Sequence, residues 1–405
     1  MKINKYGLLT SLMVIFTFTT LSYTLWPISS PNRIVGMLIF VAMLIIFLNK
    51  LDRKKAILLL ICFMMTVWTV LNATQLSRNL TDAIYWVITI LMLYDLSDST
   101  FRDKINRELY KSKPIIKLVI LICNALLCVG FFDPRCYDTE RWVDRYYIGY
   151  TNAAHTLCAG VCLLLVLTLI ILRYEKPSIF KFIYFLPGIL AIMQSGARIY
   201  LIPLIVICCV FYLKYIGSIS LKIVLIPVVF IVAIYVFLNS GMFNKFIFVN
   251  DNQYISSDAI AQLTSGRTEF WGIDILAFSQ LSPIYKLMGI GFDYVYQINK
   301  QLYGLEIWAH NDIIDCLLSV GILGTIVYMI PVISVIKSMF KEIRGVVVPG
   351  LLLLYIIAPM LLNGFFGYQH FLYSYVLLTV LLIDTERHNI NSGDIYEQNR
   401  NSYLP

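Results

Sequence analysis

Trp308-Ala309-His310-Asn311-Asp312 closes the one long polar excursion in an otherwise apolar chain and runs straight into a hydrophobic helix. The excursion opens near Ser240, carries Arg267 early and His310 at its end, and is flanked on both sides by apolar runs. Such a boundary is where a large extramembrane loop re-enters a bilayer, because a hydrocarbon core admits a polar backbone only when its own hydrogen bonds satisfy it.

Outward from this stretch the chain keeps the same character. At 59% hydrophobic and 14% charged residues, with a mean hydropathy of +0.77, it lies outside the soluble range of roughly 45 to 50% apolar and about 25% charged. Apolar runs fall near 6–25, 33–48, 54–71, 82–96, 115–132, 151–172, 179–194, 198–213, 220–239, 311–336, 346–362 and 370–384. The expected fold is an all-α polytopic membrane protein with about 12 transmembrane helices, each close to the roughly 17 to 25 residues a crossing needs. One large loop, about 240–310, separates the ninth run from the tenth. Residues 1–385 form a single transmembrane domain, and the polar stretch 386–405 reads as a flexible tail.

An even number of spans puts both termini on one side. Placing that side in the cytoplasm puts 22 of the 32 Lys and Arg inside, most of them in the connections 50–55, 102–117, 173–181 and 337–344, and assigns the large loop to the outer face. The net charge of +8 therefore reports topology and implies no nucleic acid partner. The first run follows Lys2 and Lys5, but no small-residue cleavage site succeeds it, so it reads as a retained helix. The nine Cys lie mostly within spans and show neither a disulfide framework nor a metal-binding spacing. Charges are scarce in the middle of the spans, which leaves an ion-coupled transporter little to work with.

Polar residues of interest gather at the outer edge. Gln194-Ser195-Gly196-Ala197-Arg198 joins two short apolar runs with no real loop, pinning Arg198 near the interface. It reads as a snorkelling anchor or as a phosphate ligand, since guanidinium stays charged and grips oxyanions in a two-pronged fork. Arg267 follows Thr264-Ser265-Gly266 and opens a helix that Ser265 or Gly266 would cap. A cation is mildly unfavourable in a first turn, which suggests another task, although an interfacial helix with an incidental arginine reads equally well. His310 stands at a helix start, where Asn311 or Asp312 would cap. The helix dipole lowers its pKa, while Asp312 and Asp315 would raise it and orient the ring, leaving a largely neutral base at pH 7. The plain alternative is an ordinary polar residue at a helix entrance, and His155 and His370 occupy similar positions. Trp271, Trp308 and several loop tyrosines suit sugar stacking or an aromatic belt. Gly289-Ile290-Gly291 reads as a turn, because no strand precedes it and no third glycine extends it into a nucleotide fingerprint. Asp138-Thr139-Glu140 lies in a mixed-charge, solvated loop.

Taken in order, Ser195-Gly196-Ala197-Arg198, Gly266-Arg267-Thr268 with Trp271, Gly289-Ile290-Gly291, Ala309-His310-Asn311-Asp312 and Gly321-Ile322-Leu323-Gly324 resemble the O-antigen ligase and polymerase superfamily over roughly residues 185–330. Many members carry Ser-Arg at the first motif, whereas here Gly196-Ala197 intervene. The resemblance implies a glycosyltransferase of GT-C-like architecture in the bacterial inner membrane, active at the periplasmic face without cofactor or metal. Its donor would be a glycan on undecaprenyl pyrophosphate. Arg198 and Arg267 would hold the pyrophosphate and steady its charge, and His310 would act as general base in a one-step inverting displacement. Trp271, Trp308, Asn311 and Asp312 would contact substrate. The tyrosine-, Lys- and Asn-rich composition and idiosyncratic loops favour a polymerase over a ligase that transfers polymer to lipid A core. A flippase for lipid-linked oligosaccharide is the reading from another class. Membrane lipids, a chain-length regulator and a flippase would be its partners.

Overall fold

The computed structural model describes residues 4–28, 30–49, 51–138, 145–174, 179–216, 219–244, 266–304 and 306–401. Glu140 of the mixed-charge loop and Ser265 lie outside them. Helices α1 to α7 are Lys5–Leu21, Pro31–Leu48, Arg53–Asn72, Leu76–Leu96, Ser99–Lys111, Lys113–Gly130 and Ala154–Arg173, followed by α8 Leu186–Gln194, α9 Leu201–Tyr215 and α10 Ile219–Leu238. Beyond the segment 245–265 come α11 Arg267–Gln280, α12 Pro283–Met288, α13 Tyr294–Tyr303, α14 Asp312–Ser319, α15 Gly321–Glu342, α16 Val347–Leu362 and α17 Gln369–Asn401. The described residues hold one sheet, Tyr137–Asp138 paired antiparallel with Tyr146–Tyr147.

The chain is a multi-pass, almost wholly helical membrane protein. Among the described residues six helices are long and apolar enough to span, and α4 with α5 adds a seventh as a pair bent by 98°. Three of the remaining apolar runs fall on the shorter helices Lys5–Leu21, Phe182–Gln194 and Val347–Leu362, and the runs 220–239 and 370–384 fall on α10 and α17. At the centre stands α7, with 89% of its most apolar window buried. It is apolar on every side, as a helix surrounded by other helices must be, and it packs against α1, α6, α8, α9 and α17. By contrast α3 buries only 28% of its window and presents Leu60, Phe63, Met64 and Leu71 outward, the expected face toward lipid.

Two departures from the sequence reading matter for the site. The basic connection 102–117 contains the helix α5, capped by the Asp98 carboxylate on the Thr100 N–H. Phe101, Ile105 and Leu109 form its buried stripe, at the spacing of one helical face. The run 311–336 is not one helix but two, interrupted at Val320. Gly321 there has φ +66°, and a Cβ on it would stand 2.5 Å from the Leu287 carbonyl carbon. Gly289 meets the same break from the other side, where a Cβ would lie 2.3 Å from Ser319 backbone. Ile290 N–H donates to the Leu318 carbonyl at 2.9 Å, and Trp68 Nε1 donates to the Gly289 carbonyl at 2.8 Å. The Gly289-Ile290-Gly291 turn is thus a backbone-to-backbone dock that only glycine permits.

A few residues later Asp293 fixes the loop to the α3–α4 junction. Its Oδ2 accepts from Thr74 N–H, the Thr74 hydroxyl and Gln75 N–H at 2.7 to 2.9 Å. The Phe292 N–H donates to Asn79 Oδ1 at 2.6 Å. The large loop is therefore seated against the bundle at residues 289–293.

Candidate active site

Arg198 begins where α8 stops. Ser195 is buried; its hydroxyl donates to the Ile192 carbonyl at 2.7 Å and accepts the Ala197 N–H at 3.2 Å. With Gly196 at φ +68° the chain reverses within four residues, and Arg198 opens a short 3-10 turn ending at the fully buried Tyr200. The serine of the motif closes the turn that places Arg198. Gly196-Ala197, inserted before the arginine, form that turn.

Arg267 is the first residue of α11. Its N-cap is Gly266 in the left-handed conformation, φ +81°, with no side-chain cap, so the first-turn amides lack the acceptor a serine would provide. Trp271 Nε1 donates to the Ala309 carbonyl at 2.7 Å, which ties α11 to the residue before His310. Burial holds Arg267 below its ordinary pKa, with the Arg198 charge adding to that and Tyr368 and Tyr200 opposing it. Among the described residues no carboxylate pairs with Arg267. Two guanidinium groups thus share one field, an arrangement that favours a dianionic ligand.

His310 occupies the left-handed region at φ +55°, rare for a residue with a side chain and a strain that concentrates at functional sites. The helix behind it is held firmly. Asn311 caps α14, its Oδ1 accepting from Ile313 N–H at 3.0 Å and Ile314 N–H at 3.3 Å, while Nδ2 donates to the Leu361 carbonyl at 3.2 Å. Asp312 accepts from the Phe365 N–H at 2.8 Å, the Phe366 N–H at 3.2 Å and the Tyr328 hydroxyl at 2.5 Å. Asp315 accepts from the Ala309 N–H at 3.1 Å.

These contacts correct one expectation, since neither Asp312 nor Asp315 orients the imidazole; both carboxylates are engaged by backbone amides. Burial first, and the Arg267 charge second, push His310 down to about 3, against a hydrogen bond to Asn363 backbone that works the other way. The imidazole is neutral at pH 7, and its Nδ1 is buried with no partner among the described residues.

Aromatic rings complete the surroundings. The Trp308 ring lies 5.1 Å from His310 and 5.5 Å from Tyr368. It packs so closely on the 363–368 turn that a Cβ on Gly367 would meet it at 2.2 Å. His155 stands 6.4 Å from His310, 5.7 Å from Tyr200 and 6.2 Å from Tyr368. Asn363 Nδ2 donates to the Tyr200 hydroxyl at 3.2 Å.

The structure therefore brings Arg198, Arg267, His310 and Trp308 together. It places Trp271, Asn311 and Asp312 one step behind, bonded to the backbone around His310. His370 is set apart, its Nε2 2.7 Å from the Thr20 hydroxyl and its ring 4.6 Å from Phe16. Sequence reading missed Tyr200, Asn363 and Tyr368. The available signal is Asn363-Gly364 with Gly367, a break between two apolar runs. Among the described residues no group of His, Cys, Asp and Glu is arranged to hold a metal ion.

Residues 183–329 match the family described as O-antigen ligase. No curated protein and no solved structure matches the chain. The matched stretch begins just before α8 and ends within α15. It contains Arg198, Arg267 and His310, the three groups that the fold gathers from separate elements. Over this segment, about a third of its length, the chain is similar to the O-antigen ligase family.

Proposed function

We propose that this protein polymerises a surface polysaccharide, transferring a growing glycan from undecaprenyl pyrophosphate to a lipid-linked repeat unit at the periplasmic face of the bacterial inner membrane. The observation that carries the reading is the convergence of Arg198, Arg267 and a neutral His310 at one end of the bundle. A polyprenyl diphosphate is already a good leaving group, so its departure needs charge neutralisation more than a proton, and two arginines supply that without a metal. His310 then takes the proton of the attacking sugar hydroxyl, and the displacement inverts the anomeric carbon in one step. Trp271 holds the His310 turn in place, Asn311 and Asp312 fix the helix behind it, and Trp308 offers a ring to the sugar. The three shorter apolar helices together with α10 and α17 complete a set of about 12 spans in a GT-C-like bundle. A chain-length regulator and the flippase that delivers the lipid-linked unit are the partners this chemistry calls for.

The test is a gel of lipopolysaccharide from a strain lacking the gene beside the same strain complemented with the intact gene. Core bearing a single repeat unit in the deletion, with the ladder restored on complementation, is expected. Bare core with polymer retained on the lipid carrier would make the protein a ligase. A normal ladder in the deletion would remove both readings.

A further inference from the structure

Trp308, whose ring lies beside His310, and Tyr368 also line a cavity of about 310 Å³, the lower end of the range for small-molecule sites. It is formed where α2, α4, α7, α13, α14 and α17 end near one another. Tyr23, Tyr85 and Tyr296 join Trp308 and Tyr368 in its wall. Four of its lining residues, Asp315, Ser319, Gln369 and His370, are at most 5% exposed, and each keeps one polar side-chain atom without a partner among the described residues. Buried polar atoms in native proteins are almost always satisfied, so four along one cavity indicate a place built to meet polar groups. A second hollow of about 560 Å³ shares Arg33, Thr81, Asp82 and Tyr296 with it and continues past Gln75 and Arg78. There Arg78 pairs with Glu306 and covers the Tyr296 ring at 4.3 Å.

The charge pattern separates this trough from the arginine site. Its inner cavity sets Arg33 with Asp82 and Asp315, and Arg78 in the outer hollow is paired with Glu306, so each arginine of the trough has a carboxylate near it, as Arg267 does not among the described residues. Carboxylates, amides and hydroxyls set among aromatic faces match a neutral polyhydroxylated ring, whose hydroxyls take the hydrogen bonds while its C–H face lies on the aromatics.

We propose that the cavity and outer hollow hold the terminal sugars of the acceptor glycan, presenting one hydroxyl past Trp308 and Tyr368 toward His310. This rests on the reading of the arginine side as the donor site. In the step so arranged, the acceptor oxygen bonds to the anomeric carbon as the bond from that carbon to the diphosphate oxygen breaks. The proton passes to His310, and the bonding pair leaves with the diphosphate held by Arg198 and Arg267.

The test uses the full chain in lipid nanodiscs with two probes. One is undecaprenyl pyrophosphate; the other is the free repeat-unit oligosaccharide released by mild acid from the host's own lipid carrier. Asp82→Asn keeps volume and exchanges one carboxyl oxygen for an amide donor, and Thr156→Phe fills the cavity beside α7. Each is expected to weaken oligosaccharide binding at least tenfold and to stop elongation, with affinity for undecaprenyl pyrophosphate unchanged, which also shows the variant to be folded. Oligosaccharide binding that survives both changes overturns the proposal. So does a parallel loss of undecaprenyl pyrophosphate, which would put the diphosphate in the cavity. Should Thr156→Phe misfold, the isosteric Asp82→Asn decides alone. Arg267→Ala checks the donor reading separately: if it binds undecaprenyl pyrophosphate normally, the donor assignment fails while the oligosaccharide result stands by itself.

Discussion

His310 with its pKa pushed down to about 3 is a weak base toward a sugar hydroxyl, since proton transfer is most efficient when the pKa lies near the working pH. Burial and the positive charge of Arg267 depress it. A diphosphate bridging Arg198 and Arg267 cancels the second cause, so the donor itself should raise the basicity of the group that acts beside it. NMR titration of the imidazole is expected to give a value well below 6.5 in the free protein and a rise of about one unit or more with undecaprenyl pyrophosphate bound. Arg267→Gln should raise it without ligand. A free-protein value near 6.5 that ignores the ligand would refute this account. His310→Gln should slow elongation by roughly 10² to 10⁴-fold, the usual contribution of a general base, with undecaprenyl pyrophosphate binding retained.

At the scale of elements, α11 and the break between α14 and α15 carry the positioning. Asp274 in α11 is fully buried, and burial pushes its carboxyl up to about 7, with Asn299 pulling the other way. The native form therefore holds its proton where the unfolded chain, near 3.8, has released it. Its contribution is fully present below about 4 and is lost as pH rises through about 7. Thermal unfolding in nanodiscs should show stability falling between those values, and Asp274→Asn should flatten the slope; an unchanged slope would exclude Asp274 as its source. Gly321→Ala forces a side chain into the left-handed region and into the Leu287 backbone at 2.5 Å. It is expected to cost about 1 to 3 kcal/mol, read as a lowered melting temperature and a loss of elongation through displacement of α14.

These elements also mark what could be read in advance. The sequence order of Arg198, Arg267 and His310 was legible because each sits at a helix boundary with its own local signal, a tight Ser-Gly turn, a glycine cap and an Asn cap. The break at Gly321 was not, because a glycine inside an apolar run reads as a tolerated helical residue; its positive φ arises from the Gly289 turn, distant in sequence. The same holds for Tyr368 and Asn363, whose place beside His310 depends on the packing of α16 and α17 and not on any local pattern.

For the whole molecule, the two ends of the bundle differ in kind. One is closed by ion pairs, Lys55 with Asp95, Arg102 with Glu342 and Arg173 with Asp384, and α5 lies across it as an amphipathic helix. The other end carries Arg198, Arg267, His310 and the two polar hollows. The basic residues of the closed end lie in the connections whose charge bias points to the cytoplasm, and the proposed function requires the open end to face the periplasm. Single cysteines in a background with the native cysteines replaced by serine test this directly. Lys300 is 62% exposed and Lys111 58% exposed, so neither change disturbs the core. Lys300→Cys should react with an impermeant maleimide in intact spheroplasts, and Lys111→Cys only after the membrane is permeabilised. The reverse pattern would turn the bundle over, place His310 in the cytoplasm, and remove the periplasmic polymerisation proposed for it.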